Sequence, residues 1–129
     1  MNFEEQFPST HSAESIFIED MLSRFYEMGG KIEMPSKVRN FLYSHPDIAG
    51  LANIVSEKVY DNFDIGVQLS LEIEDDDVPN SEYLVLNVRV PEYDNSVMDR
   101  IRKIRESYYD SLDDMSGWFL LTTDYCSPR

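Results

Sequence analysis

The sequence predicts an α+β fold in which three helices precede a strand–strand–helix–strand unit. The expected sheet is small, three- to four-stranded and mainly antiparallel, with helices covering it. Three observations carry this expectation. Apolar residues recur at spacings of three and four from Ile18 to Phe63, the pattern switches to strict alternation from Val67, and a helical pattern returns between Ser96 and Leu112. The length of 129 residues suits a single domain over residues 15–129, preceded by a flexible arm over residues 1–14.

Each element has its own signal. Ile18, Met21, Leu22, Phe25 and Met28 share one face of a first helix, and Gly29-Gly30 supplies the left-handed residue that ends it. Lys31 to Met34 alternates too briefly to define a strand. Ser36 is positioned to cap a second helix carrying Val38, Phe41 and Leu42. Ser44 with Asp47 reads as a capping box for a third, whose buried side is Ile48, Leu51, Ala52, Val55, Val59 and Phe63. Val67, Leu69, Leu71 and Ile73 then alternate with polar residues, as do Leu84, Leu86, Val88 and Val90, giving two antiparallel strands joined by a polar turn. Ser96 and Asp99 form a further capping box before a helix with Val97, Ile101, Ile104, Tyr108 and Leu112 inward. The run Trp118–Thr123 is apolar enough to suggest a final strand buried on both faces, hence central. Joining the first strand it would give the order 2-1-3 with an antiparallel last pair; joining the second, a parallel pair.

Charge narrows the function classes. Acidic residues number 25 against 11 basic, a formal charge of -14. Such a chain repels phosphate backbones, so nucleic acid is an unfavoured partner, whereas a basic protein would be attracted and steered toward it. Solubility alone is the simpler account of the same charge. One cysteine and two histidines do not suffice for a disulfide framework or a usual structural zinc site, and no cofactor is expected. The apolar runs are too short to cross a membrane, and the start Met1-Asn2-Phe3-Glu4-Glu5 lacks the pattern of a secretory signal, so a cytoplasmic location is expected.

Two acidic clusters are candidate partner-binding sites. Glu72, Glu74, Asp75, Asp76 and Asp77 crowd the first strand's end and the turn, and Asp110, Asp113 and Asp114 crowd the end of the last helix. The first lacks the ligand spacing and glycine of a calcium loop, and its simpler reading is a solvated turn that discourages edge pairing. The second opposes the helix dipole. Arg100, Arg102, Lys103 and Arg105 make the one basic concentration, with Asp99, Glu106 and Asp110 at pairing distance along the helix. Asn87, Arg89 and Tyr109 are candidate ligand-binding residues of a pocket between sheet and helices. No nucleophile elbow, phosphate-cradling loop or zinc-protease motif occurs, so catalysis is disfavoured and no catalytic residue is assigned.

The runs Met34–Asp47, Glu82–Arg89 and Ser116–Asp124 resemble those of small uncharacterised prokaryotic proteins of antitoxin-like or accessory type, over about residues 30–125. The resemblance implies a role exerted on a protein partner and brings no established activity. No helix-turn-helix or basic arm is visible, which speaks against DNA-binding autoregulation. The expectation is a non-enzymatic acidic protein that binds a basic partner, antitoxin- or inhibitor-like, with homo-oligomerisation compatible. The alternatives are a small enzyme or ligand-binding domain, or a nucleic-acid mimic.

Overall fold

The computed structural model describes residues 12–78 and 81–129. Helix α1 runs Ala13–Glu27, and its first turn is closed by the Ser12 hydroxyl, which accepts from the Ser15 N–H at 3.1 Å. Ala13 and Glu14 are therefore helical, so the domain starts earlier than residue 15; the rest of the expected arm, 1–11, lies outside the described residues. Ile18, Met21, Leu22 and Phe25 are buried along one stripe. The helix stops as expected at Gly29, whose φ is 86°. Gly29 donates to the Tyr26 carbonyl and Gly30 to the Phe25 carbonyl, the paired bonds of a Schellman ending. A Cβ on Gly30 would collide with the Phe25 ring, so the turn also fixes how α1 meets the sheet.

Three expected caps are replaced by other devices. Strand β1 is only Lys31–Ile32, and α2, Pro35–Ser44, starts from Met34 held at φ 50° instead of from a Ser36 side chain. Helix α3, Pro46–Asn62, begins after His45 with Pro46 in its first turn, and Ser44 does not cap it. Its expected partner Asp47 is turned elsewhere, as described below. Helix α4, Asn95–Tyr108, is capped by Asp94, which accepts from the Ser96 N–H and hydroxyl, so Ser96 is a donor there and not the cap.

Strands β2, Gln68–Glu74, and β3, Tyr83–Arg89, pair antiparallel as expected, with Leu71 opposite Leu86. The last strand, β4, is Phe119–Thr122. The sheet order is β1-β2-β3-β4, and both outer pairs are parallel, so the sheet is mixed rather than mainly antiparallel. The final strand joins β3, the parallel alternative. It is an edge strand, not a central one. Phe119 and Leu121 point into the core, but Trp118 is exposed and Leu120 half-buried, so its apolar run does not reflect burial on two faces. Its outer edge is covered by α4: the Leu121 N–H donates to the Tyr108 hydroxyl at 3.1 Å, and Arg105 Nη2 donates to the Leu121 carbonyl at 2.8 Å. Covering an edge in this way removes a template for aggregation.

The apolar core follows the alternation, although burial itself is continuous over Gln68–Leu71 and Leu84–Arg89. Leu69, Leu71, Leu84, Leu86, Val88, Phe119 and Leu121 meet the apolar stripes of all four helices in one core, so the helices share one face of the sheet. The opposite face is polar. Gln68, Ser70, Asn87 and Arg89 lie there with Val85 and are nevertheless buried; the last residues of the chain are tied to Gln68 and Arg89, and Asn87 bonds Glu72. Arg89 grips Asp124, the Gln68 amide bonds the Arg129 backbone in both directions, and Tyr93 holds the Cys126 carbonyl at 2.6 Å. The expected short tail is thus part of the fold.

Candidate functional site

The acidic segment between β2 and β3 is a shaped turn. Asp77 adopts φ 62°, its N–H donates to Asp75 Oδ1 at 3.0 Å, and the Asp76 N–H donates to Ser81 Oγ at 3.1 Å. Ser81 in turn donates to the Val78 carbonyl. Backbone and side-chain bonds hold the turn while the carboxylates of Asp75, Asp76 and Asp77 stay exposed. Below it, Glu72 is half-buried and accepts from Asn87 Nδ2 at 2.8 Å. Partial burial, then the neighbouring Glu72 and Asp75 charges, push the Glu74 carboxyl up from its ordinary range.

The second acidic cluster occupies a 3-10 turn, Tyr109–Asp114, that continues α4. Asp110, Asp113 and Asp114 are all exposed. The topology brings the two clusters to one end of the sheet. Because β4 runs parallel to β3, with Phe119 beside Leu84, the entries of the two strands are adjacent, and the Leu84 N–H donates to the Trp118 carbonyl. The turn precedes β3 directly; the 3-10 segment precedes β4. Two exposed aromatics flank the 3-10 segment: Trp118 (40% exposed) and Tyr109 (54%) meet edge to face with centroids 6.0 Å apart.

The same end holds a cluster that the sequence spacing did not show. The Ser116 hydroxyl donates to Asp47 Oδ1 at 2.6 Å, the Ser116 N–H donates to Asp47 Oδ2 at 2.7 Å, and His45 Nδ1 lies 2.9 Å from Ser116 Oγ. The residue types are those of a hydrolase triad, but the order is not. The serine hydroxyl donates directly to the carboxylate, whereas in a triad the histidine stands between the two. The cluster braces the α2–α3 corner against the entry of β4, with the His45 ring packed on Phe41 at 4.4 Å and against Gly117. Burial pushes the Asp47 carboxyl up, but the Ser116 hydroxyl and amide, with the Ile48 amide, hold it below the ordinary range. Contacts across 69 and 71 residues leave no local signal.

The expected ligand-binding trio separates. Asn87 and Arg89 lie on the polar face of β3, and Tyr109 is at the Trp118 end, so the three do not share a pocket. The space between sheet and helices where that pocket was expected is filled by Leu71, Leu86, Ile101 and Leu121, all buried. The basic residues of α4 are largely engaged: Arg100 lies over the Phe63 ring and bonds the Asn62 carbonyl, Arg102 pairs with Asp99, and Arg105 covers the edge of β4.

Among the described residues, no group of three His, Cys, Asp or Glu side chains is placed to hold a metal ion, and no helix is long and apolar enough to cross a membrane. No protein-family model, curated protein or solved structure matches the chain.

Proposed function

We propose that the chain is a non-enzymatic, acidic interaction protein that binds a basic protein partner, in the manner of an antitoxin or inhibitor, and that it works in the cytoplasm. The observation that carries this reading is that the segments bearing Asp75–Asp77 and Asp110, Asp113 and Asp114 lead into the adjacent starts of β3 and β4, the second of them carrying the exposed Trp118–Tyr109 pair. Carboxylates at a rim speed encounter with a basic surface, and aromatic side chains at the centre supply affinity. The test has two steps. The immobilised protein captures partners from host extract at about 50 mM salt, and the captured protein is purified and titrated against wild type, Trp118→Ala and the triple variant Asp75→Asn, Asp76→Asn, Asp77→Asn. The reading requires at least about tenfold weaker binding by each variant. Unchanged affinity in both overturns it.

A second reading, binding of a small ligand, is favoured by one observation. Arg89 is 3% exposed; its Nε and Nη2 engage Asp124, and its Nη1 has no partner among the described residues. It borders a cleft of about 420 Å3 that Glu33, Glu72, Glu74 and Arg129 also line, with Asn87 bonded to Glu72 beside it. Succinate, as a carboxylate probe, would shift the Arg89 side-chain resonances under this reading, and no shift would remove it.

A further inference from the structure

A groove lies on the helical side of the molecule, away from the acidic end of the sheet. Helix α1 lines it with Met21, Arg24, Phe25 and Met28, and α3 lines it with Asn53, Ser56, Glu57, Tyr60 and Asp61. Both sets follow the spacing i, i+3, i+4, i+7, so each helix presents two successive turns to the groove, about 10 Å of length. Its volume is about 570 Å3. The floor is Met21 and Phe25, while Met28 is 55% exposed at the open end. Two methionines make such a surface adaptable to different apolar side chains. The Tyr60 hydroxyl is buried along the wall with no hydrogen-bond partner among the described residues.

The charge at the rim is one-sided. Glu27, Glu57 and Asp61 line the groove, and its one cation among the described residues, Arg24, is bonded to Asp20 at 2.9 Å. Lys58, the neighbouring base on α3, is turned to Ser107 on α4. Two parallel rows of helical side chains with a channel between them match the ridge of a third helix. An apolar ridge would sit on Met21, Phe25 and Met28, and flanking cations would face the three carboxylates.

We propose that this groove is a docking site for about two turns of an amphipathic, basic helix of a protein partner. The surface is separate from the acidic end of the sheet: Asp47, in the first turn of α3, is bonded to Ser116, whereas the groove lies along the second half of the helix. The site therefore stands whether or not the edge around Trp118 binds a partner.

The experiment uses the full chain, labelled with nitrogen-15, and two synthetic peptides of roughly 18 residues. One has leucines on one helical face and lysines on the other; its counterpart carries glutamates for lysines. The leucine–lysine peptide is expected to move the amide signals of residues 21–28 and 53–61, and to do so equally in the Asp75, Asp76, Asp77 to Asn triple variant. Met28→Ala and the double variant Glu57→Gln, Asp61→Asn, all changes at groove-lining surface positions, should weaken binding about threefold and about tenfold. Equal binding of the leucine–glutamate peptide would overturn the proposal. So would shifts centred on residues 72–82 and 110–118, or affinities unmoved by the groove variants.

Discussion

The Ser116 hydroxyl and Asp47 Oδ1 lie 2.6 Å apart across 69 residues of sequence, and this bond pins the start of α3 to the entry of β4. Asp47 also accepts the Ser116 and Ile48 N–H groups. Asp47→Asn keeps the shape but weakens three bonds at once. The expected loss is about 1 kcal/mol, moderated by the exposure of the site. Thermal unfolding should fall by roughly 3–5 °C. Ser116→Ala should give a comparable loss, and the double variant less than the sum.

The acid limb of stability should report the same groups. Asp47 and Asp124 both have carboxyls held below the ordinary range: burial opposes this in each, outweighed by Ser116 and Ile48 for the first and by Arg89 and the Cys126 amide for the second. A lowered folded value means that their stabilisation is complete above the ordinary carboxylate range, near pH 4, and is lost as pH falls through the folded values. Glu74 runs the other way: its raised value favours the folded state at low pH and loses that contribution as pH rises. Denaturant titrations from about pH 2 to 7 should show an acid decline that is shallower in Asp47→Asn and Asp124→Asn.

Arg89 and Asp124 form the best-buried ion pair among the described residues, at 2.8 Å, with Arg89 almost fully enclosed. Arg89→Met strands Asp124 and loosens the tail, which Gln68 and Tyr93 still hold at Arg129 and Cys126. The expected cost is about 2–3 kcal/mol, the lower end for a buried pair because Asp124 keeps some solvent. Urea denaturation measures it, and faster amide exchange at residues 124–129 would show that the tail has come loose.

Gly30 is held against the Phe25 ring, so Gly30→Ala must push the ring or the turn aside. A loss of about 1–3 kcal/mol is expected, of the size found for overpacked cores. Gly50, whose Cβ would meet nothing within 4 Å among the described residues, is the control: Gly50→Ala should be neutral or stabilising by up to about 1 kcal/mol.

Periodicity made most of the elements legible, because each carries a one-sided apolar stripe. Ile18 to Phe25 and Leu84 to Val88 are plain examples. What it missed had non-local causes. The apolar run of β4 suggested a central strand, but its outer edge is closed by the Tyr108 and Arg105 side chains from α4, a solution invisible in the strand itself. Caps failed where the chain used a left-handed Met34 or spent Asp47 on a distant serine. Both acidic clusters could be read from sequence, whereas their proposed meeting at one end of the sheet depends on β4 pairing parallel to β3.

That meeting is the central claim, and the salt dependence of one variant pair tests it most directly. The captured partner is titrated calorimetrically at about 50 mM and about 200 mM salt against wild type and the Asp75→Asn, Asp76→Asn, Asp77→Asn protein. A basic partner on the acidic end predicts that wild-type affinity falls at least about tenfold between the two conditions, and that the variant is weaker and less salt-sensitive. Equal affinities and equal salt response in the two proteins would contradict it.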